Sequence, residues 1–452
     1  MKVLLYTHGT RGDLQPYLAL AYALNRAGHS ATLVGPSRYS DFAESYGVQF
    51  TPVTDEGVNL LEHANVRKIF FTTAPTSEES RRTREELLRE FMPRMYPKLL
   101  EQYWEASRAG ADLLVHSHHS RQSMHQIAEK HGIPNVLATL FPHFVASHRY
   151  PPELNSLESH PDNMERHIRA RDAPFNPMLA DMISTWRSEV LELPHRDGFL
   201  DHRHRPDGSP VPVMLGFSPH VLEPAADWPD WVHTTGFWSL PAAPGYQPSA
   251  RLLRFLESGE PPVFFGFSSA VSDDPEKTGR LVLEVVRQTG IRAVVVTAWG
   301  GIKVTEDAAD VLVESDVPYG WLFNRVRAAV HAGGVGSYNE ALKAGIPQVI
   351  CPFQKEQLMW GRHLHDLGVT TRPLPQSELT ADALADAVRQ AITSPVIAEN
   401  AYRLARILSA EDGVENAVHT LERIHREASL EGRRAAHERA SATLVRKGNS
   451  TC

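Results

Sequence analysis

Two stretches of this 452-residue sequence set reactive side chains beside a chain reversal. In "AAVHAGGVGSYNEALKAG", residues 328–345, an apolar strand ends at His331. Gly333, Gly334, Val335 and Gly336 then turn the chain into a helix that starts near Ser337. Glycines let the main chain approach a ligand closely, and the free N–H groups opening a helix favour a phosphate or diphosphate. His331 stands where it can add a hydrogen bond or a positive charge. Read locally, the same pattern also suits a plain tight turn needing positive φ beside a satisfied histidine. Neither the G-x-G-x-x-G dinucleotide fingerprint nor the G-K-[ST] phosphate loop is present here, which turns the reading away from nicotinamide and ATP hydrolysis.

Residues beyond the turn extend the pattern. Glu340 lies three residues after Ser337, and "CPFQKEQLMWG" places Glu356 and Gln357 just beyond the next strand. Ligands of open α/β sheets bind at that edge, so a diphosphate, a ribose and a sugar can be met in order by His331 and the glycine turn, by Glu340, and by Glu356 with Gln357. The second stretch, "THGTRGDLQP" at residues 7–16, sets Thr10, Arg11, Gly12 and Asp13 straight after "VLLY", at the mouth of a helix. The structural reading of Asp13 is an N-cap, for which Asp is a preferred residue.

The elements that must hold these residues are strand-like runs separated by helical ones. "KVLLYTHG", an amphipathic segment at 14–27, "SATLVGP", "ADLLVHS" and "IPNVLATL" alternate as βαβ units on a parallel sheet do. Leu14, Leu18, Ala21 and Leu24 give the first helix one apolar stripe for that sheet. A second series runs through "PPVFFGFSS", a helix at 276–289, "RAVVVTAWGG", "DVLVESDVP", "AAVHAGG" and "PQVICPF". The expected fold class is therefore α/β, with two Rossmann-like domains of parallel sheet facing across a cleft. Their boundaries are read as 1–222 for the first domain, 223–249 for a Pro-rich linker, 250–424 for the second domain and 425–452 for a helical tail. Residues 148–212, rich in His, Pro, Arg and Asp, form an elaboration beside the first domain's pocket, with two helical pieces.

Composition narrows the classes. A net charge of −8 gives no electrostatic footprint for nucleic acid or an anionic membrane. Two cysteines, Cys351 and Cys452, make no disulfide framework, and a reducing cytoplasm fits them. The apolar part of "MKVLLYTHG" is too short for a signal peptide, and no run reaches the eighteen residues of a membrane span. Contact with a membrane surface is left open. "HSHHS" at 116–120 sets His116 and His118 on one side of a strand and "HRHR" at 202–205 adds more, but no carboxylate or cysteine completes a metal set, so no metal is expected.

The segment 316–361, with the "GTRGDLQP" opening, resembles the nucleotide-sugar glycosyltransferases of GT-B fold, the UDP-glycosyltransferase superfamily. Within it, the likeness is to the bacterial natural-product branch, vancomycin-type enzymes included, and to the sterol glucosyltransferases. The resemblance implies an inverting, metal-independent sugar transfer from a UDP- or dTDP-sugar co-substrate to a hydroxyl of a small apolar natural product, sterol or lipid. It gives Asp13 the role of general base and sets Thr10, Arg11 and Gly12 on the donor side of the cleft, with Arg11 near the phosphates; His8 and His119, each at or just beyond the end of a first-domain strand, are second choices for the base. His331 matches the phosphate-contacting histidine, and Gly333 to Ser337 the turn that holds the diphosphate. Glu340 matches the ribose ligand, Glu356 and Gln357 the sugar-reading pair, and Ser268 and Ser269 a further segment facing the phosphates.

The chain departs from the pattern in two places. Many relatives have two adjacent histidines where this chain has His331 and Ala332. The base-stacking tryptophan of the plant enzymes falls near Asp316, leaving Trp299 or the Val317 backbone for the base, with uridine and thymidine both open. Phe141, Phe144, Phe175, Met178, Met182 and Trp186 are candidates for an apolar acceptor wall, although Met178, Met182 and Trp186 recur at a spacing that also suits plain core. Two rivals remain: an epimerase or phosphorylase on the same fold, and a catalytically silent sugar-nucleotide-binding helper. Monomer and homodimer are both open.

Overall fold

A computed structural model of the chain describes residues 1–61, 66, 69, 77–172, 177–196, 202–267, 274–298, 301–306 and 308–448. Two parallel sheets organise them. The first has seven strands in the order β3-β2-β1-β4-β5-β6-β7: β1 Lys2–Tyr6, β2 Ser30–Pro36, β3 Gln49–Val53, β4 Leu113–His116, β5 Asn135–Thr139, β6 Val213–Leu215 and β7 Val232–Thr234. The second has five, ordered β10-β9-β8-β11-β12: β8 Val263–Gly266, β9 Ala293–Val296, β10 Val311–Glu314, β11 Ala328–His331 and β12 Gln348–Ile350. Central strands such as "VFFG" and "AVVV" are buried along their whole length, as strands covered by helices on both faces must be.

Strand order reverses between β1 and β4 in the first sheet and between β8 and β11 in the second. A doubly wound sheet opens a crevice at such a point, beyond the carboxyl ends of the strands. Both stretches with reactive side chains sit there: residues 7–13 follow β1, and residues 332–337 follow β11.

Helix α1, Arg11–Arg26, begins three residues earlier than the apolar pattern indicates and buries Leu14, Leu18, Ala21 and Leu24 against the sheet. Its N-cap is Thr10, so Asp13 is the third helical residue rather than the cap. β4 ends at His116, so His118 lies past the strand, not on one side of it with His116. β3, β6 and β7 extend the first sheet, and β7 falls inside the stretch read as linker, where it pairs with β6. The elaboration carries helices Asn163–Asp172 and Pro177–Glu189. Buried Arg187 fastens the second of them: its Nη2 lies 2.6 Å from Glu129, and its Nε donates to Pro194 O at 2.7 Å.

The lobes are tied together by apolar packing. Tyr150, Phe217 and Phe237 of the first share one apolar cluster with Tyr338, Trp360 and Leu364 of the second. The last helix, Gly413–Gly448, returns to the first lobe, where Ala417, Val418, Leu421 and Ile424 join the core around α1. Its start is fixed by Glu411, which accepts from Ser218 Oγ at 2.8 Å and from Phe237 N at 3.3 Å.

Candidate active site

Asp13 curls back over the turn that precedes it. Its Oδ2 accepts from Thr10 N at 2.7 Å and Thr10 Oγ1 at 3.1 Å, while Thr7 Oγ1 donates to its main-chain oxygen at 2.9 Å. Gly9 makes this possible: its φ is +133°, and a Cβ there would stand 2.4 Å from Asp13 Oδ2. The other oxygen faces His119, with Nε2 3.7 Å from Oδ1, and the Asp13 side chain keeps 34 % exposure to the crevice. Burial raises its pKa, but His119 and the Thr10 donors outweigh that, and the net direction is downward. Asp13 is therefore an ionised carboxylate at neutral pH.

Histidines surround it. His8 touches Thr54 O at 3.3 Å, and burial lowers its pKa. His118 stacks on Phe144 with ring centroids 4.8 Å apart, and burial lowers its pKa strongly, so both rings are neutral. Arg11 leaves α1 on the crevice side. Its guanidinium lies 4.4 Å over the Phe42 ring, and its Nη1 donates to both carboxylate oxygens of Asp316, each at 2.9 Å.

On the second lobe, the helix following β11 is Val335–Ala344, with Gly334 as N-cap and no side-chain cap. Cβ atoms built on Gly334 and Gly336 would meet nothing within 4 Å, so the mouth of the turn is open. Gly333 has φ +90° and is the tight point, packed against Ile350 and Gln357. His331 is wholly buried beneath it. Nδ1 accepts from Gly333 N at 3.0 Å and Nε2 meets Gln348 Oε1 at 2.9 Å, an arrangement that assigns the ring proton to Nε2. Burial pushes its pKa to about 4. In this arrangement both ring nitrogens are engaged inside the fold, and the ring supports the Gly333 bend from beneath.

Glu340 points at the chain after β10, where a Cβ on Gly320 would stand 2.8 Å from its Oε2, and burial raises its pKa. Val317 is buried in the core beneath that chain. Gln357 Oε1 accepts from Phe353 N at 2.8 Å and Gln354 N at 3.2 Å, so its oxygen holds its own loop. Glu356 Oε1 is buried without a hydrogen-bond partner among the described residues. Burial first, and then the negative charge of Asp13, raise the Glu356 pKa to about 8. That coupling brings the two stretches together electrostatically, and Val335 does so by packing against the first lobe's core. Ser268, Ser269, Trp299 and Phe175 lie outside the described residues. Met178 and Met182 pack with Trp186 in the first lobe's core, while Phe141 and Phe144 flank His118.

Comparison with known proteins narrows the chemistries such a crevice allows. A family model for the N-terminal domain of glycosyltransferase family 28 matches residues 3–148, and one for the C-terminal domain of erythromycin biosynthesis protein CIII-like proteins matches residues 293–424. The fold is GT-B, and these matches support membership of the UDP-glycosyltransferase superfamily. This chain is 29% identical over 426 residues to a sterol 3-beta-glucosyltransferase of Arabidopsis thaliana, covering 94% of this chain and 68% of that one. It is 29% identical over 441 residues to the sterol 3-beta-glucosyltransferase of Candida albicans, spanning 93% of itself but only 27% of that longer protein. Among solved structures, the glycosyltransferase of kitacinnamycin superposes with TM-score 0.64 at 18% identity, over 93% of this chain and 98% of that one. VinC in complex with dTDP superposes with TM-score 0.63 at 18% identity, over 94% and 100%. No helix among the chain's described residues is long and apolar enough to cross a membrane.

Proposed function

We propose that this chain transfers a sugar, with inversion, from a UDP- or dTDP-sugar to a hydroxyl of a sterol-like or natural-product acceptor, with Asp13 as general base. The observation that carries the reading is the opposition of two turns: an ionised carboxylate held on the first lobe faces an uncapped glycine turn on the second. The diphosphate lies at the turn, where main-chain amides from Gly334 to Ser337 and the helix dipole meet its charge. Glu340 takes the ribose, and Glu356 with Gln357 reads the sugar. Asp13 removes the acceptor proton as the oxygen attacks the anomeric carbon opposite the leaving diphosphate, and a single displacement inverts that carbon. His119 beside Asp13 supports the carboxylate's charge and orientation. No step is assigned to a metal. Sterol acceptors draw support from the named relatives, and a thymidine donor from the dTDP bound to the structural neighbour.

The test is turnover of UDP- and dTDP-glucose with a panel of sterol and polyketide alcohols, following the anomeric configuration of the product. Asp13→Asn should lower turnover about a hundredfold or more with nucleoside diphosphate binding unchanged, the usual scale of a general base. A wild-type rate in that variant, or a product with retained configuration, overturns the mechanism.

A further inference from the structure

The crevice carries one contact that the catalytic reading does not use. Arg11 and Asp316 are separated by 305 positions in sequence and belong to opposite lobes. Arg11 is held from three directions. Its Nε donates to Gln15 Oε1 at 3.2 Å, its guanidinium lies over Phe42, and its Nη1 reaches both oxygens of Asp316. On one side, Arg11 shares the first turn of α1 with Asp13. On the other, Asp316 immediately precedes Val317 and the chain that runs under Glu340 through Gly320.

We infer that Arg11 and Asp316 are a cross-cleft positioning pair, setting the base-bearing turn of the first lobe against the nucleotide-facing chain of the second. The inference rests on the proposed transfer for its catalytic consequence, but not for its structural one. The lobes are joined by the apolar cluster around Tyr338 and Trp360, by the returning last helix and by Val335 packed on the first lobe's core, so the pair adds a polar tie to a join made by apolar packing. The pair's side chains are 35 % and 58 % exposed, so the tie is weak and sensitive to salt. Arg11 acts through Asp316 here, not as a ligand of the diphosphate.

The experiment is a double-mutant cycle of Arg11→Gln and Asp316→Asn on the full chain, with two readouts. Without donor, the distance between dyes on the two lobes should lengthen in each single variant and no further in the double, and about 1 M salt should lengthen it in the parent alone. With saturating donor, kcat should fall about twofold to fivefold in each single variant and no lower in the double, while affinity for free UDP or dTDP stays at the parent value. Independent, multiplying effects, or an unchanged interlobe distance in the single variants, overturn the pair. So does weakened nucleotide binding in Arg11→Gln alone, which makes Arg11 a phosphate ligand. If no donor is turned over at all, the proposed transfer fails while the donor-free distance still decides the pair.

Discussion

The turn after β1 and the turn after β11 are built alike and finished differently. Each leaves the carboxyl end of a strand at a sheet's reversal point, each uses a glycine at positive φ, and each opens a helix. In the first, the chain fills the helix mouth itself: Asp13 folds back onto Thr10 and occupies the place a ligand anion would take. In the second, no side chain among the described residues caps the helix, and none of them comes within 4 Å of a Cβ built on Gly334 or Gly336. One scaffold thus serves two purposes, according to whether its anion comes from the chain or from outside. Beneath the open turn, the histidine expected to meet that anion is turned inward to brace the bend.

The contrast can be broken at its glycines. Gly9→Ala forces a rarely populated φ and a collision with Asp13, so it should cost about 1–3 kcal/mol in urea unfolding and displace the carboxylate, with a matching fall in turnover. Gly334→Ala has ordinary φ and open space, so stability should stay within about 0.5 kcal/mol while nucleoside diphosphate binding weakens. Equal stability losses in the two variants would erase the distinction. The brace is tested next: Gln348→Leu strands the buried His331 N–H and should cost about 1–3 kcal/mol, read by the same unfolding curve.

The smallest effect sharpens the link between the lobes. The Glu356 carboxyl keeps its proton in the folded chain to about pH 8, whereas the unfolded chain releases it near the ordinary carboxylate value. The folded state binds more protons across that window, so stability declines as pH rises through it. Glu356→Gln should flatten the decline, and Asp13→Asn should move it to lower pH by removing the facing charge. Asp13 works in the opposite sense: held below the usual range, it contributes stability that is lost on acidification through that range. Melting temperatures from about pH 4 to about pH 9 separate the two, and a profile unchanged in Asp13→Asn would deny the coupling.

The architecture is legible in the sequence because parallel strands announce themselves as apolar runs, and because both turns combine glycine with a helix start. The short strands β3, β6 and β7 are not. β3 reads "QFTPV", which lacks a continuous apolar run, and β7 reads "VHT", only three residues inside a Pro-rich stretch. Among site residues, the position of Asp13 at a helix start is readable, since the helix and its caps are local. The state of His331 is not, because it depends on Gln348 from the neighbouring strand β12. Asp316 stands out in the sequence only as a residue unable to stack on a base. Its partner Arg11 lies at the far end of the chain, and no local pattern could join them. His8 and His119 are both readable as strand-end histidines, but only the fold separates the one facing Thr54 from the one facing Asp13.

Ala417, Val418, Leu421 and Ile424 sit in the same core as Leu14, Leu18 and Leu24, so the first lobe lacks one of its walls until the second lobe and the helix after it have been synthesised. During synthesis, the outer face of α1 waits uncovered while the second lobe is still being made. The two lobes therefore mature as one unit, and a nascent chain arrested between them would display that sticky face to chaperones rather than stand as a finished half.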